Sequence, residues 1–338
     1  MPIPNMEEKT SLLVDKYGRQ LNYLRLSVTD RCNFRCYYCM PEEGIDFAKR
    51  KDLMSFDEMY QLSAIFCNLG ISKIRITGGE PFVRNGIMPF LNKLSRVDGL
   101  KEITVTSNGT LSTKYQAELL QMGIRKINIS LDSLSRDRFH QITRRDNFEG
   151  VYAGVFKLLE DGFDVKLNCV VAENKNIQDI VPFIELTKNY PLSVRFLEEM
   201  PFNGSDGSQV ASEWDYKRIY DHISQHYPEI NRLISDANST SVNYKISGYK
   251  GSFGIIPSFS RTFCGTCNRI RLSATGELRT CLYGPPVANL RDLLRRGALV
   301  NDVEQEILAA VSQRERDGYA AEVASQGAIH TSMSALGG

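Results

Sequence analysis

Tyr23-Leu24-Arg25-Leu26-Ser27-Val28-Thr29-Asp30-Arg31-Cys32-Asn33-Phe34-Arg35-Cys36-Tyr37-Tyr38-Cys39-Met40-Pro41 is a short apolar strand that runs straight into three cysteines. The spacing is C-x3-C-x2-C. Three thiolates this close can hold three corners of a cubane iron–sulfur cluster, which normally takes four. The fourth iron is then open to a small molecule. A Cys3His zinc site would need a histidine, and the nearest to Cys39 is His140. A disulfide would leave one thiol over and needs an oxidising compartment. A ferredoxin-type run would show a fourth cysteine close by, yet the next is Cys67.

Outward from this stretch, strands and helices alternate from about residue 20 to 230. Strands are predicted over 23–28, 73–76, 102–106, 126–130, 165–171 and 193–197. Helices are predicted over 56–69, 87–96, 112–122, 152–161 and 177–189. Ser55 and Ser112 stand where N-caps belong, and Gly70 and Gly123 where helices end. Alternation of this kind implies a parallel sheet. Six units suggest a barrel, closed or partial, and an open doubly wound sheet competes. In a barrel the C-terminal strand ends form the reactive rim. Cys32, the Gly78-Gly79 turn, Thr106, Ser130 and Met200 all fall at or just past strand ends.

After about residue 200 the composition changes. Residues 201–208 are turn-rich, 214–226 read as a helix, and 241–246 and 251–256 as strands. The expected division is 1–235 and a smaller module from 236–338. That module carries a second trio, Cys264, Cys267 and Cys281, spaced C-x2-C-x13-C. A zinc ribbon lacking one ligand is the alternative reading. Arg269 and Arg271 follow at once, and on a strand period two puts both guanidiniums on one face. Paired guanidiniums suit a polyphosphate.

Lys166 and Asn168 share a face of an otherwise apolar strand, and Arg25 and Arg195 pose the same question on theirs. Several basic residues inside strands of one sheet suggest an anionic ligand. Cys67 and Cys169 read as buried structural thiols. His222 and His226, spaced i, i+4, read as surface residues, and Arg314-Glu315-Arg316-Asp317 as a solvated helix end.

The 338 residues are 42% hydrophobic, enough for a sizeable core, and 41 basic against 40 acidic side chains leave a charge of +1. That balance argues against bulk nucleic-acid binding. No apolar run is long enough to span a membrane. No secretory signal is seen in residues 1–19, so the eight cysteines are expected to be reduced, in the cytoplasm.

Together the first trio with Tyr38 beside its last cysteine, Gly78-Gly79-Glu80-Pro81, the run Phe263-Cys264-Gly265-Thr266-Cys267-Asn268-Arg269-Ile270-Arg271-Leu272, Cys281 and Gly337-Gly338 resemble one family. It is the GTP 3′,8-cyclase family of radical S-adenosylmethionine enzymes, and the resemblance runs from about Leu21 to Gly338. It implies an incomplete (β/α)6 barrel closed by a smaller C-terminal α+β module, usually dimeric. It implies two [4Fe–4S] clusters, one on Cys32, Cys36 and Cys39 and one on Cys264, Cys267 and Cys281. S-adenosylmethionine would be held at Tyr38, Gly79, Ser130 and Met200. GTP would meet Arg25, Arg75, Thr106, Lys166, Arg195, Arg269, Ile270 and Arg271. Gly337, Gly338, Arg269 and Arg271 would assist catalysis.

The implied reaction is the first step of molybdenum cofactor biosynthesis. A 5′-deoxyadenosyl radical takes the ribose 3′ hydrogen of GTP, and the ribose closes onto guanine C8, giving (8S)-3′,8-cyclo-7,8-dihydroguanosine 5′-triphosphate. The implied partners are an electron donor such as a flavodoxin or ferredoxin, and cyclic pyranopterin monophosphate synthase as receiver of the product. Arg145 stands where the family often has glycine, so the Arg144-Arg145 loop receives no role. Two readings compete: a radical enzyme with an auxiliary cluster acting on a peptide, and a zinc-binding scaffold without catalysis.

Overall fold

The structure is a computed structural model that describes residues 13–202, 213–325 and 332–337. Its first part alternates as β1 (Tyr23–Ser27), α1 (Phe56–Asn68), β2 (Lys73–Thr77), α2 (Ile87–Leu94), β3 (Glu102–Ser107), α3 (Gln116–Gln121), β4 (Lys126–Ser130), α4 (Arg136–Thr143), α5 (Phe148–Glu160), β5 (Asp164–Val171), α6 (Ile180–Asn189) and β6 (Ser193–Glu198). There follow α7 (Tyr216–His226), β7 (Ile230–Arg232), β8 (Val242–Ile246), β9 (Ser252–Ile256), β10 (Arg269–Leu272), β11 (Glu277–Arg279), β12 (Ala288–Asn289), α8 (Leu290–Arg295), α9 (Val300–Ser312), α10 (Gly318–Ala324) and α11 (Met333–Leu336).

All strands join one sheet in the order β12-β11-β10-β1-β2-β3-β4-β5-β6-β9-β8-β7. β1 to β6 are parallel neighbours in chain order. β10 pairs parallel with β1, and β9 parallel with β6. The later part of the chain therefore extends the sheet at both edges. The hairpin of β7 and β8 lies astride residue 235.

Period two sorts each parallel strand. On β5, Val165, Leu167, Cys169 and Val171 are buried, and Lys166, Asn168 and Val170 face a cavity. Leu24, Leu26, Ile74, Ile76, Ile127, Ile129, Ile270 and Leu272 likewise point into one core that the helices cover. Cys67 and Cys169 belong to that core, as expected.

Ser55 caps α1 in a full capping box, its hydroxyl accepting from Glu58 N–H and Glu58 accepting from Ser55 N–H. Gly70 and Gly123 follow their helices with φ of 102° and 74°, a conformation that favours glycine. The helix expected over 112–122 begins instead as a 3-10 turn, and buried Ser112 caps nothing: its hydroxyl donates to Gly109 C=O at 2.9 Å. α4 was not anticipated, because it buries only Phe139, Ile142 and Thr143 among polar residues.

Candidate functional site

The inward row of every strand from β1 to β6, with that of β10, lines a cavity of about 830 Å³, within the size range of small-molecule sites. Both cysteine trios lie on it. So do Arg25, Arg75, Thr106, Lys166, Arg195, Arg269, Arg271, Tyr38, Gly79, Ser130 and Met200. Ile270 does not: its side chain is fully buried in the core on the opposite face of β10. Of the two tail glycines, Gly337 is placed and Gly338 lies outside the described residues.

The first trio occupies the loop after β1. Cys39 and Met40 N–H both donate to Cys36 C=O, at 2.9 and 3.1 Å, a tight turn between the second and third cysteines. Cys32 Sγ accepts from Phe34 N–H at 3.3 Å and Asn108 Nδ2 at 3.7 Å. Arg144, at φ 56°, donates to Arg35 and Met40 C=O, so the loop left without a role braces this turn. Burial raises all three thiols, Cys32 to about 12 and Cys39 to about 11.

Two buried carboxyls stand by. Glu80 accepts from Asn108 N–H at 2.6 Å and Phe82 N–H at 3.1 Å, and burial still lifts it to about 7. Asp132 accepts from Tyr38 OH at 2.8 Å and rises to about 6, again through burial. The Gly78-Gly79 turn packs on the chain itself, because a Cβ on either would come within 2.4 Å of a carbonyl, of Thr29 or of Arg31. Gly79 N–H is engaged with Thr29 C=O at 2.8 Å.

The second trio has a different setting. Arg314 is buried, 3% exposed, and donates to Cys267 C=O at 2.8 Å and Cys267 Sγ at 3.0 Å. The expectation of a solvated helix end fails here: Arg316 is exposed, but Arg314 turns inward against the cysteines. Nothing in the local sequence marks it. Arg19 donates to the carbonyls of Cys264, Glu315 and Arg316. Burial raises Cys264 and Cys281; at Cys267 the charges of Arg314 and Arg269 outweigh burial and lower the thiol.

Between the trios stands a row of cations. Strand register sets Arg271, Arg25 and Arg75 side by side on β10, β1 and β2. Like charges directly opposite destabilise a sheet. Burial and then the neighbouring Arg271 push Arg25 well below its ordinary value, and burial with Arg269 brings Arg271 to about 10. Arg195 falls to about 10 through burial and Arg75. Buried Nε of Arg25 and of Arg195 has no partner among the described residues. Lys166, half-buried, has a 3.7 Å contact with Asp164 among the described residues.

Tyr23 was missed, although period two from Arg25 leads to it. Its hydroxyl bonds Arg75, and its ring carries Lys73, Arg75 and Arg269 within 5.9 Å. Burial would raise this phenol, yet the charges of Arg75 and Arg25 bring it down to about 7. So strong a positive field in a half-closed cavity calls for a polyanion.

The segment 332–337 threads the site. Ser332 Oγ donates to Cys39 C=O at 2.6 Å, and Gly337 C=O accepts from Arg25 at 3.5 Å and Arg271 at 3.4 Å. Gly337, at φ 83°, sits so close to Ser27 that a Cβ would come within 2.8 Å. Leu336 is held by a separate small apolar cluster with Phe202, Tyr283 and Ala321.

Among the described residues no three His, Cys, Asp or Glu side chains converge tightly enough for one metal ion. A single zinc draws its sulfurs to about 2.3 Å from itself, whereas a cubane spreads its ligands over separate irons. Each trio presents thiols on the cavity wall, the donor set that an iron–sulfur cluster takes.

Comparison with known proteins completes the site. Residues 26–187 match the Radical SAM superfamily, and residues 192–320 match Molybdenum Cofactor Synthesis C. A GTP 3′,8-cyclase of Peptoclostridium acidaminophilum is 39% identical over 314 residues, covering 92% of this chain and 94% of that protein. The chain belongs to the GTP 3′,8-cyclase family. The mitochondrial GTP 3′,8-cyclase of Arabidopsis thaliana, a further member, is 39% identical over 92% of this chain and 80% of its own length.

Molybdenum cofactor biosynthesis protein 1 of Homo sapiens is 41% identical over 91% of the chain but 48% of its own length. The chain thus spans about half the length of several curated relatives it matches. Among solved structures, native anSMEcpe with bound AdoMet aligns at TM-score 0.58 and 14% identity, over 89% of this chain and 83% of that one. Streptococcus suis SuiB bound to S-adenosylmethionine aligns at 0.57 and 11%, over 81% and 64%. These show that the α/β fold with a mostly parallel sheet is shared with both of those proteins. Among the described residues no helix is long and apolar enough to cross a membrane.

Proposed function

We propose that the chain is a GTP 3′,8-cyclase, converting GTP to (8S)-3′,8-cyclo-7,8-dihydroguanosine 5′-triphosphate at the start of molybdenum cofactor assembly. The observation that carries this reading is one cavity that holds two cysteine trios and a row of under-partnered cations. Cys32, Cys36 and Cys39 would hold one [4Fe–4S] cluster, and Cys264, Cys267 and Cys281 the other. A three-cysteine cluster, once bound, supplies an open iron for S-adenosylmethionine and the electron that splits it.

The chain's own residues do the rest. Tyr38, Gly79, Ser130 and Met200 line the cavity with the first trio and would hold S-adenosylmethionine. Tyr38 contributes its ring, since its hydroxyl is engaged with Asp132. Arg25, Arg75, Lys166, Arg195, Arg269 and Arg271 bind the triphosphate, whose charge relieves their mutual repulsion. Thr106 accepts from Arg75 at 3.1 Å and orients it. Ile270 acts by packing β10 so that Arg269 and Arg271 face inward. Gly337, with Gly338 beyond it, lies against Arg25 and Arg271 and is held there for catalysis by Leu336.

We read the sheet as an incomplete (β/α)6 barrel, 1–235, closed by the module 236–338. Six sequential parallel strands support this, as do two edges extended from the later part of the chain. We further place the protein in the cytoplasm as a homodimer. It takes electrons from a flavodoxin or ferredoxin and passes product to cyclic pyranopterin monophosphate synthase. All eight cysteines are free, which supports a reducing compartment.

The test is anaerobic turnover of the iron-reconstituted, reduced protein with S-adenosylmethionine, with and without GTP, read by mass spectrometry. GTP-dependent 5′-deoxyadenosine with a cyclised nucleotide is the expected result. 5′-Deoxyadenosine with unchanged GTP would move the reading to another substrate.

A further inference from the structure

The Arg314 guanidinium is costly to bury unless its donors find acceptors. Its nearest carboxylate, Asp15, stands 3.8 Å away and gives its short bonds to Arg19 and to the N–H groups of Tyr17 and Arg19. The two short bonds of Arg314 go to one residue, Cys267, at its carbonyl and its sulfur. A neutral thiol is a weak acceptor, whereas a metal-bound thiolate carries charge and accepts well.

The position is built, not incidental. Arg19 clamps the carbonyls of Glu315 and Arg316, directly after Arg314, and that of Cys264. Gly318 follows, where a Cβ would come within 2.9 Å of the Arg261 side chain and 3.6 Å of Cys264 Sγ. Arg269 also approaches Cys267 Sγ, but only to 3.7 Å, and its other arm donates to Asn238 C=O. Among the described residues no guanidinium is bonded to a sulfur of the first trio.

We propose that Arg314 is a positioning residue of the second metal centre, and that its bond to the Cys267 sulfur raises the reduction potential of the cluster bound there. Hydrogen bonds and positive charge at a ligand sulfur favour the reduced, more negative cluster. This inference rests on the iron–sulfur reading of the second trio.

The experiment uses the full chain with Cys32, Cys36 and Cys39 replaced by alanine, so that only the second site takes iron. Iron and sulfide are assayed, and the one-electron couple is titrated anaerobically with dithionite by EPR and visible absorption. Arg314→Met and Arg314→Lys are compared with their parent. The expected result is retained iron with the potential shifted to lower values, further for Arg314→Met than for Arg314→Lys. If Arg314→Met fails to fold, the Arg314→Lys shift decides alone. An unchanged potential and spectrum with iron retained overturns the proposal. A parent that takes up no iron overturns the iron–sulfur reading instead, and this inference with it.

Discussion

The two cysteine trios share a cavity but not a neighbourhood. Around the first stand Glu80 and Asp132, both buried and raised, and the three thiols are raised with them. Around the second stand Arg314, Arg269 and Arg19, and Cys267 is lowered. The first site stabilises thiolates poorly until a metal does so. At the second, Cys264 and Cys281 are raised by burial as well, and only Cys267, under the charges of Arg314 and Arg269, is prepared for negative charge. Three residues of one type therefore serve two electrostatic tasks, set by which segments fold against them.

The sharpest way to break this comparison is to remove one ligand from each trio. Cys36→Ala is expected to abolish S-adenosylmethionine cleavage while the second site keeps its iron. Cys267→Ala is expected to lose the second site's iron yet retain cleavage without cyclised product. Iron content and 5′-deoxyadenosine yield measure both, and equal losses in the two variants would mean the sites are not separable.

Arg271→Ala comes next. A lost charge-assisted bond costs about 1.5–3 kcal/mol, so GTP affinity should fall about 10- to 100-fold while iron at both sites is unchanged. Equilibrium binding of GTP checks this, and unaltered affinity would count against the polyphosphate pocket.

The acids of the first site predict a pH dependence. Glu80 and Asp132 lie above their ordinary values, 4.5 and 3.8, at about 7 and about 6. Between these limits the folded metal-free chain binds more protons than the unfolded one. The stability they contribute is complete below about pH 4 and is lost as pH rises through 6 and 7. For Glu80 the loss is on the order of 3 kcal/mol. Melting temperature of the metal-free chain should fall over that range, and Glu80→Gln should flatten the step near 7.

The smallest effect is expected at Ser55→Ala, which breaks the capping box of α1 and should cost about 1 kcal/mol. Chemical denaturation reads it. Iron content and GTP affinity should stay put, which calibrates the larger losses against plain destabilisation.

Much of this was legible in the chain. Alternation placed all six parallel strands within a few residues, because each carries an apolar row that helices must cover. The same period flagged Arg25, Lys166 and Arg195 as inward. Ile270 shows where a motif misleads: it stands between two inward arginines, and therefore faces the core. α4 and the two- and three-residue strands β11 and β12 were too short or too polar to give a period.

The six β/α units, the two cysteine trios and the inward arginines could be read along the chain, since these depend on local spacing and on side-chain alternation. Folding in three dimensions brings Arg314 and Arg19 to the second trio, sets Tyr23 among Lys73, Arg75 and Arg269, and carries Gly337 to Arg25 and Arg271. These contacts join residues far apart in the chain. Local propensity carries no information about them; sheet register, helix packing and the burial of charge do.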